Sequence, residues 1–133
     1  MLKRHPLRKL AAIYVGGVVG ALLRVGLAEA FPHGVDAWPW PTFAVNLVGA
    51  FLIGYFFTTF RDHGPLQLHH PFFATGICGT LTTFSTMQLE LFNMAEAGET
   101  GLAAAYLVAS LAFGYLALRI GIAAAESRMR IAQ

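Results

Sequence analysis

The sequence contains little charge for its length. Of its 133 residues, 12% are charged and 56% are hydrophobic, whereas soluble domains average about 25% charged residues. A soluble fold of this size exposes much of its surface, and these residues cannot supply a polar shell to cover it. The net charge of +2 is too small to indicate a nucleic-acid partner. We therefore expect a chain whose solvent is the lipid bilayer.

Residues for catalysis or metal binding are equally scarce. The single cysteine, Cys78, excludes an internal disulfide and a multi-cysteine metal site, and its apolar surroundings predict a small buried residue. His69 and His70 are interpreted as interfacial histidines. With no phosphate loop, zinc-type spacing or catalytic triad, the sequence predicts that the protein is not an enzyme.

Four segments are long and apolar enough to cross a bilayer, which takes about 20 residues. They cover residues 10–30, 37–60, 66–95 and 101–125, so the predicted fold class is an all-α membrane protein with one four-helix domain over residues 1–133. The alternative for the first segment is a cleavable signal peptide, with Ala28-Glu29-Ala30 as the cleavage site. Arg24 fits a cleavable signal poorly, and three more spans follow.

The third span is a poor continuous helix. Glycine and hydroxyl residues crowd the stretch Thr75–Met87, and both types disfavour a helix interior. At membrane depth, non-helical backbone is tolerated only where protein buries it or it lines a wet cavity. The sequence predicts either a broken helix whose exposed carbonyls and amides meet ions, or a kink with hydroxyls bonded back to the helix.

Asn46 is the other unusual residue, because it lies near the middle of the charge-free second span. A primary amide there must form an interhelical hydrogen bond or serve an ion. Its NH₂ group offers two donors, which suits a small anion. Thr42 lies four residues earlier, on the same helical face.

These residues belong to three motifs that cover nearly the whole chain. The motifs are Gly16-Gly17-x-x-Gly20-Ala21-x-x-Arg24, Thr42-x-x-x-Asn46-x-x-Gly49-x-x-x-x-Gly54, and Gly76-x-Cys78-Gly79-x-x-Thr82-Thr83-Phe84-Ser85-Thr86. The pattern resembles the Fluc (CrcB-like) fluoride channel family. The resemblance implies four-helix subunits with a broken third helix, paired as an antiparallel dimer with two fluoride pores and a central structural sodium ion. It also implies passive, selective export of fluoride from the cell.

The resemblance places roles on matching residues. It implies that the backbone carbonyls of Gly79 and Thr82 hold the sodium ion. It also implies a fluoride pathway and a basic residue in the aqueous vestibule. The vestibule residue is Arg24, and the pathway residues are Asn46, Phe84, Thr83, Ser85, Thr86, Met87, Thr42, Tyr106 and Ser110. An aromatic edge such as that of Phe84 carries partial positive charge and suits an anion.

Two positions depart from the family pattern. Met87 stands where the resemblance places a second pore phenylalanine, so the ring edge is lost there. Gly114 stands where the polar track on the fourth span would have a third hydroxyl. Both departures bear on the conduction rate and not on the fold.

Two other functions compete with the channel. A small proton-coupled drug exporter needs an acidic residue deep in a span, and the spans offer only Glu90 and, near a surface, Glu29. A non-conducting membrane subunit of a larger complex would need neither Asn46 nor a broken helix.

The basic residues are strongly biased to one side of the predicted membrane. An even number of spans puts both termini and the second connector together, and that side carries Lys3, Arg4, Arg8, Lys9, Arg61, Arg128 and Arg130. The first and third connectors have no Lys or Arg, so the positive-inside rule predicts cytoplasmic termini in the plasma membrane, the bacterial inner membrane. A dual-topology homodimer should have balanced charges. The subunit therefore either pairs with an inverted paralogue or forms a homodimer despite the bias.

Reporter fusions at the C-terminus test this orientation. Because the basic residues lie on one side, we expect a reporter active in the cytoplasm to give a signal and a reporter active outside to give none. Equal signals from the two reporters would contradict a single orientation and favour a dual-topology homodimer.

Overall fold

The apolar segments of the chain form helices joined by short connectors. The computed structural model describes residues 5–60 and 68–131, and every regular element in those ranges is a helix. The helices are α1 (His5–Ala30), α2 (Trp40–Thr59), α3 (Pro71–Cys78), α4 (Gly79–Leu81), α5 (Phe84–Glu96) and α6 (Thr100–Ile131).

Local sequence signals explain several helix ends. Pro41 lies in the first turn of α2, where a missing N–H leaves no hydrogen bond unmade. Gly98 ends the turn after α5 with a positive φ of 86°, a conformation that glycine adopts without a Cβ penalty. α6 continues to Ile131, beyond the predicted end of the span at residue 125, because a helix of Ala, Glu, Arg and Met residues persists after the apolar stretch ends.

Three helices are long and apolar enough to cross a membrane within the described residues: Pro6–Ala30, Trp40–Thr59 and Thr100–Ile131. They correspond to the first, second and fourth predicted spans, so the chain is a multi-pass membrane protein. The third predicted span starts at residues 66 and 67, which lie outside the described residues, and then corresponds to α3, α4 and α5. Each of these three helices is too short to cross a membrane alone.

Small residues let the helices pack in two close pairs. A Cβ added at Gly16 would overlap the Phe72 carbonyl oxygen, and one added at Gly20 would overlap the Ile77 carbonyl oxygen. These two glycines form the predicted GxxxG pattern, and they bring α1 against α3. The Thr80 hydroxyl of α4 also contacts α1, and it lies 2.8 Å from the Gly17 carbonyl oxygen, to which it donates.

The second close pair is α2 with α6. A Cβ at Gly54 would overlap the Leu118 carbonyl oxygen, and a Cβ at Gly121 would overlap the Phe51 carbonyl oxygen. Not every small residue of α6 lies at a helix contact. Ala105 is exposed on the outside of the subunit.

The contacts also fix the directions of the helices. In the second pair, Phe43 lies near Tyr106 at the start of both helices, and the Arg128 guanidinium donates to the Tyr55 hydroxyl near their ends at 2.7 Å. α2 and α6 are therefore parallel, as the second and fourth spans of an alternating topology must be. The order of contacts between α1 and α3 likewise makes that pair parallel.

Gly121→Ala tests the close approach of α2 and α6. The new methyl group would force the helices apart at the Phe51 carbonyl, a strain of about 1–3 kcal/mol, and we expect the melting temperature of the detergent-purified protein to fall by several degrees. Gly114→Ala is the matched control, because no atom lies within 4 Å of a Cβ added there. Equal melting temperatures for the two variants would contradict the packing.

Candidate functional site at the helix interruption

The backbone leaves the helix between α4 and α5. Thr82 has φ −72° and ψ 148°, and Thr83 has φ −146° and ψ 112°, which are both extended conformations. In a continuous helix the Thr83 N–H would donate to the Gly79 carbonyl, four residues earlier. The extended backbone separates those two groups, so each needs another partner.

Asn46 on α2 supplies the partner for Thr83. Its Oδ1 accepts from the Thr83 N–H at 2.8 Å, and its Nδ2 donates to the Thr83 carbonyl at 3.2 Å. The amide thus replaces the helix hydrogen bond that the Thr83 N–H has lost and adds a second bond to the Thr83 carbonyl. The interhelical bond considered from the sequence is present, and it uses one of the two amide N–H groups, which leaves the other for a ligand.

Thr83 then starts α5 as its N-cap. Its hydroxyl accepts from the Thr86 N–H at 3.0 Å and lies 2.8 Å from the Thr86 hydroxyl and 3.3 Å from the Ser85 hydroxyl. A threonine at the N-cap satisfies one of the unpaired amides of the first turn. The three predicted hydroxyl residues therefore form one connected group directly after the interruption.

Hydroxyls before the interruption bond back to their own helix. The Thr80 hydroxyl donates to the Gly76 carbonyl at 3.1 Å, and the Thr82 hydroxyl donates to the Cys78 carbonyl at 2.9 Å. This back-bonding is what the kink alternative predicted. The back-bonded hydroxyls occur together with the extended residues Thr82 and Thr83. The kink and the broken helix therefore each describe part of the stretch Thr75–Met87. Cys78 is fully buried, as predicted.

Arg24 faces a cavity beside this group. The cavity has a volume of about 270 Å³, and Arg24, Thr42, Thr83 and Thr86 are among the residues that line it. The Nε atom of Arg24 is buried and has no hydrogen-bond partner among the described residues. Thr42 and Thr83 donate their hydroxyl hydrogens to Glu90 and Thr86, so the Arg24 guanidinium and the Thr86 hydroxyl are the groups that make this space suitable for a small anion.

Glu90 on α5 joins two of the predicted pathway residues. Its carboxylate accepts from the Thr42 hydroxyl at 2.5 Å and from the Tyr106 hydroxyl at 2.8 Å. From the sequence, Glu90 is interpreted only as the acidic residue that an exporter would need, and its contacts with Thr42 and Tyr106 are not predicted. The position of this carboxylate within a predicted membrane span could have indicated a functional role, because ionisable groups in membranes usually mark functional sites.

The polar track on α6 lies partly in the protein core. Tyr106 is fully buried in a cluster with Met87, Met94 and Ala103. Trp38 packs edge-on against the Tyr106 ring, with the ring centroids 5.5 Å apart. The Ser110 hydroxyl, one turn later, is buried without a hydrogen-bond partner among the described residues. A buried hydroxyl without a protein partner is unusual, and it is free to bind a ligand or water.

The remaining predicted residues point out of the subunit. The Phe84 side chain is 70% exposed, and Ser85 and Gly79 are also exposed. Met87, by contrast, is 5% exposed and packs inward. The single chain thus brings Asn46, Thr83, Thr86, Thr42 and Arg24 together but does not bring Phe84 and Gly79 to them.

Comparisons with known proteins agree on one family. The model of the family described as "CrcB-like protein, Camphor Resistance (CrcB)" matches residues 11–122. The chain is 49% identical over 120 residues to a protein of Mycobacterium bovis named "Fluoride-specific ion channel FluC 1", covering 90% of this chain and 91% of that one. A protein of the same name from Mycolicibacterium paratuberculosis is 46% identical over 90% of this chain and 91% of its own. "Fluoride-specific ion channel FluC" of Marinobacter nauticus is 39% identical over 83% of this chain and 88% of its own.

Asn46→Ala tests the amide at the interruption. The change leaves the Thr83 N–H without its partner, and an unsatisfied buried group costs about 1–3 kcal/mol, so we expect a clearly lower melting temperature in detergent. Asn93→Ala is the matched control, because Asn93 is an exposed amide on α5. If both variants melt together, Asn46 does not hold the Thr83 backbone.

Proposed function

Since the chain belongs to the CrcB-like protein family, we propose that it is a fluoride-selective channel that passively exports fluoride from the cell and relieves fluoride toxicity. The observation that carries the proposal is the 49% identity over 90% of the chain to a protein named as a fluoride-specific ion channel. The resemblance to the Fluc family is confirmed by the same matches, as is the prediction that the chain is not an enzyme, since channels catalyse no reaction.

The chemistry of the site supports fluoride as the ion. A small, strongly hydrated anion crosses a membrane only where closely placed donors replace its water. The second N–H of Asn46 is such a donor, and so is the Thr86 hydroxyl, which accepts from the Thr83 hydroxyl and keeps its own hydrogen for a ligand. Thr86 lines the Arg24 cavity. Thr42, which lines the same cavity, and the unpartnered Ser110 hydroxyl add further polar groups to the interior.

The outward residues support a dimer. An exposed phenylalanine beside an exposed serine and glycine is half of a site, and a second subunit would complete it with its own Phe84, Ser85 and Gly79. We propose an antiparallel dimer with two pores along its interface, formed with itself or with an inverted paralogue. Antiparallel pairing puts equivalent interruptions side by side near the middle of the bilayer, since each third span would be broken there.

A structural sodium ion fits the backbone at the interruption. The Thr83 N–H that would occupy the Gly79 carbonyl donates to Asn46 instead, and no atom lies within 4 Å of a Cβ added at Gly79. Carbonyl oxygens suit a hard cation. We propose that the carbonyls of Gly79 and Thr82 from each subunit hold sodium at the centre of the dimer, where it would fix the two interruptions relative to each other.

The membrane placement follows from the same features. We propose that α3, α4 and α5 together form a third span, broken at Thr82 and Thr83, so that the protein crosses the lipid bilayer four times. The termini would lie in the cytoplasm, and the membrane would be the bacterial inner membrane, as the Lys and Arg bias indicates.

Neither competing function gains support. An exporter would need Glu90 free to exchange protons and substrate, but two hydroxyls donate to its carboxylate. A non-conducting subunit would not need the Arg24 cavity or the hydroxyl group around Thr83.

Fluoride efflux from proteoliposomes, followed with a fluoride electrode, tests the channel. We expect the wild-type protein to release fluoride down its gradient. Chloride release should be slower by about a hundredfold or more, because donors placed to replace the water around fluoride do not fit the larger anion. Asn46→Asp replaces an amide donor with a negative charge, and we expect it to reduce fluoride flux by at least about tenfold.

Asn93→Asp makes the same chemical change at an exposed position and should leave the flux near the wild-type rate. If the wild-type protein releases no fluoride, either alone or together with an inverted paralogue, the channel proposal is wrong. Efflux of an organic cation driven by a proton gradient would instead support the exporter.

A further inference from the structure

His33 reaches the carboxylate that joins the polar pathway residues. Its Nε2 lies 3.4 Å from Glu90 Oε1, and the exposed fractions of the two side chains are 25% and 12%. His33 belongs to the connector between α1 and α2, whereas Glu90 lies within α5. The contact therefore joins a surface loop to the interior of the helix bundle.

Both ring nitrogens of His33 face acceptors. Nδ1 lies 3.3 Å from the Gly34 carbonyl oxygen, and Nε2 faces the Glu90 carboxylate. A neutral imidazole carries only one N–H and can serve only one of these acceptors, whereas the protonated ring donates to both. Only the protonated ring can therefore form hydrogen bonds with both acceptors at once.

Glu90 places a negative charge where an anion would pass. Its two carboxylate oxygens are held by Thr42 and Tyr106, both of which are predicted to belong to the fluoride pathway. A carboxylate repels an anion that passes close to it. When His33 is protonated, the net charge of the pair changes from −1 to zero, and this repulsion is relieved.

Water reaches His33 from the connector side. An open groove of about 660 Å³ is lined by residues of the connector and the start of α2, including His33, Trp38 and Trp40. The ring can therefore exchange protons with the bulk solution. Imidazole is the side chain whose charge ordinarily changes between about pH 5 and pH 8.

Few other charged groups face the pair. Tyr106 contributes a neutral hydroxyl from α6, and Arg24 of α1 lines the cavity on the other side of Thr42. In the connector, the Asp36 carboxylate lies beside Gly34. Glu29 at the end of α1 and Glu99 before α6 are exposed near this end of the bundle. The described part of α2 near this end contributes no ionisable side chain.

We infer that His33 is a positioning residue of the conduction path that couples fluoride conduction to pH, by holding and neutralising Glu90 when its ring is protonated. This inference rests on the proposed channel function. Conduction rises as the solution becomes more acidic, and it falls when the ring loses its proton and the Glu90 charge is uncompensated. His33 itself does not contact the anion.

Fluoride currents across planar bilayers test the coupling, because hydrogen fluoride is uncharged and its leak across the lipid carries no current. With equal pH on both sides, the result does not depend on subunit orientation. We expect the wild-type current to be larger by about threefold or more at about pH 5.5 than at about pH 7.5, which lie on either side of the imidazole titration.

Two substitutions separate charge from structure. His33→Gln cannot be protonated and should give a current that is independent of pH and near the wild-type value at about pH 7.5. His33→Lys is charged at both values and should give a current that is independent of pH and near the higher wild-type value. If the ring had only a structural role, the two variants would not give the lower and the higher wild-type current respectively.

His70→Gln is the control, since His70 packs against Phe57 in the opposite half of α2 and should keep the wild-type pH dependence. A wild-type current without pH dependence, or a His33→Gln current that keeps it, overturns the inference and leaves the channel intact. The absence of fluoride current at both pH values would instead contradict the proposed function.

Discussion

A helix that stops inside a membrane must find partners for the backbone groups it releases. Lipid offers none, and each unpaired group costs several kcal/mol. In this chain one side chain, Asn46, supplies partners to the N–H and the carbonyl of Thr83. The position of α5, the cap formed by the Thr83 hydroxyl and the release of the Gly79 carbonyl all follow from that pair of hydrogen bonds.

Close packing brings the interruption to Asn46. Glycine contacts draw α1 against α3 and α2 against α6, so that backbone touches backbone in both pairs. Gly49 on α2 leaves room for the Thr82 side chain, which a Cβ would displace. Small residues occupy these helix contacts, and many large side chains lie outside, Phe84 among them. The same packing that builds the interior therefore leaves an apolar outer face.

Opposite charges are separated along the polar interior. Arg24 faces the cavity shared with Thr42, Thr83 and Thr86, whereas Glu90 lies beyond Thr42 and is held by hydroxyls and approached by His33. An anion in the cavity is attracted by the guanidinium and repelled by the carboxylate.

Composition and short-range pattern determined the membrane class, three of the continuous helices and the unusual character of Thr75–Met87, because hydrophobic length and helix propensity are local properties. Asn46 was recognisable for the same reason, as an amide in an apolar run. Its partner was not, since a contact across 37 residues depends on how α2 meets the interruption. The inward direction of Met87, the outward direction of Phe84 and the meeting of Glu90 with Thr42, Tyr106 and His33 were likewise decided by the tertiary structure. Each depends on which face of a helix turns toward its neighbours, and the nearly uniform hydrophobicity of a membrane helix leaves that face unmarked.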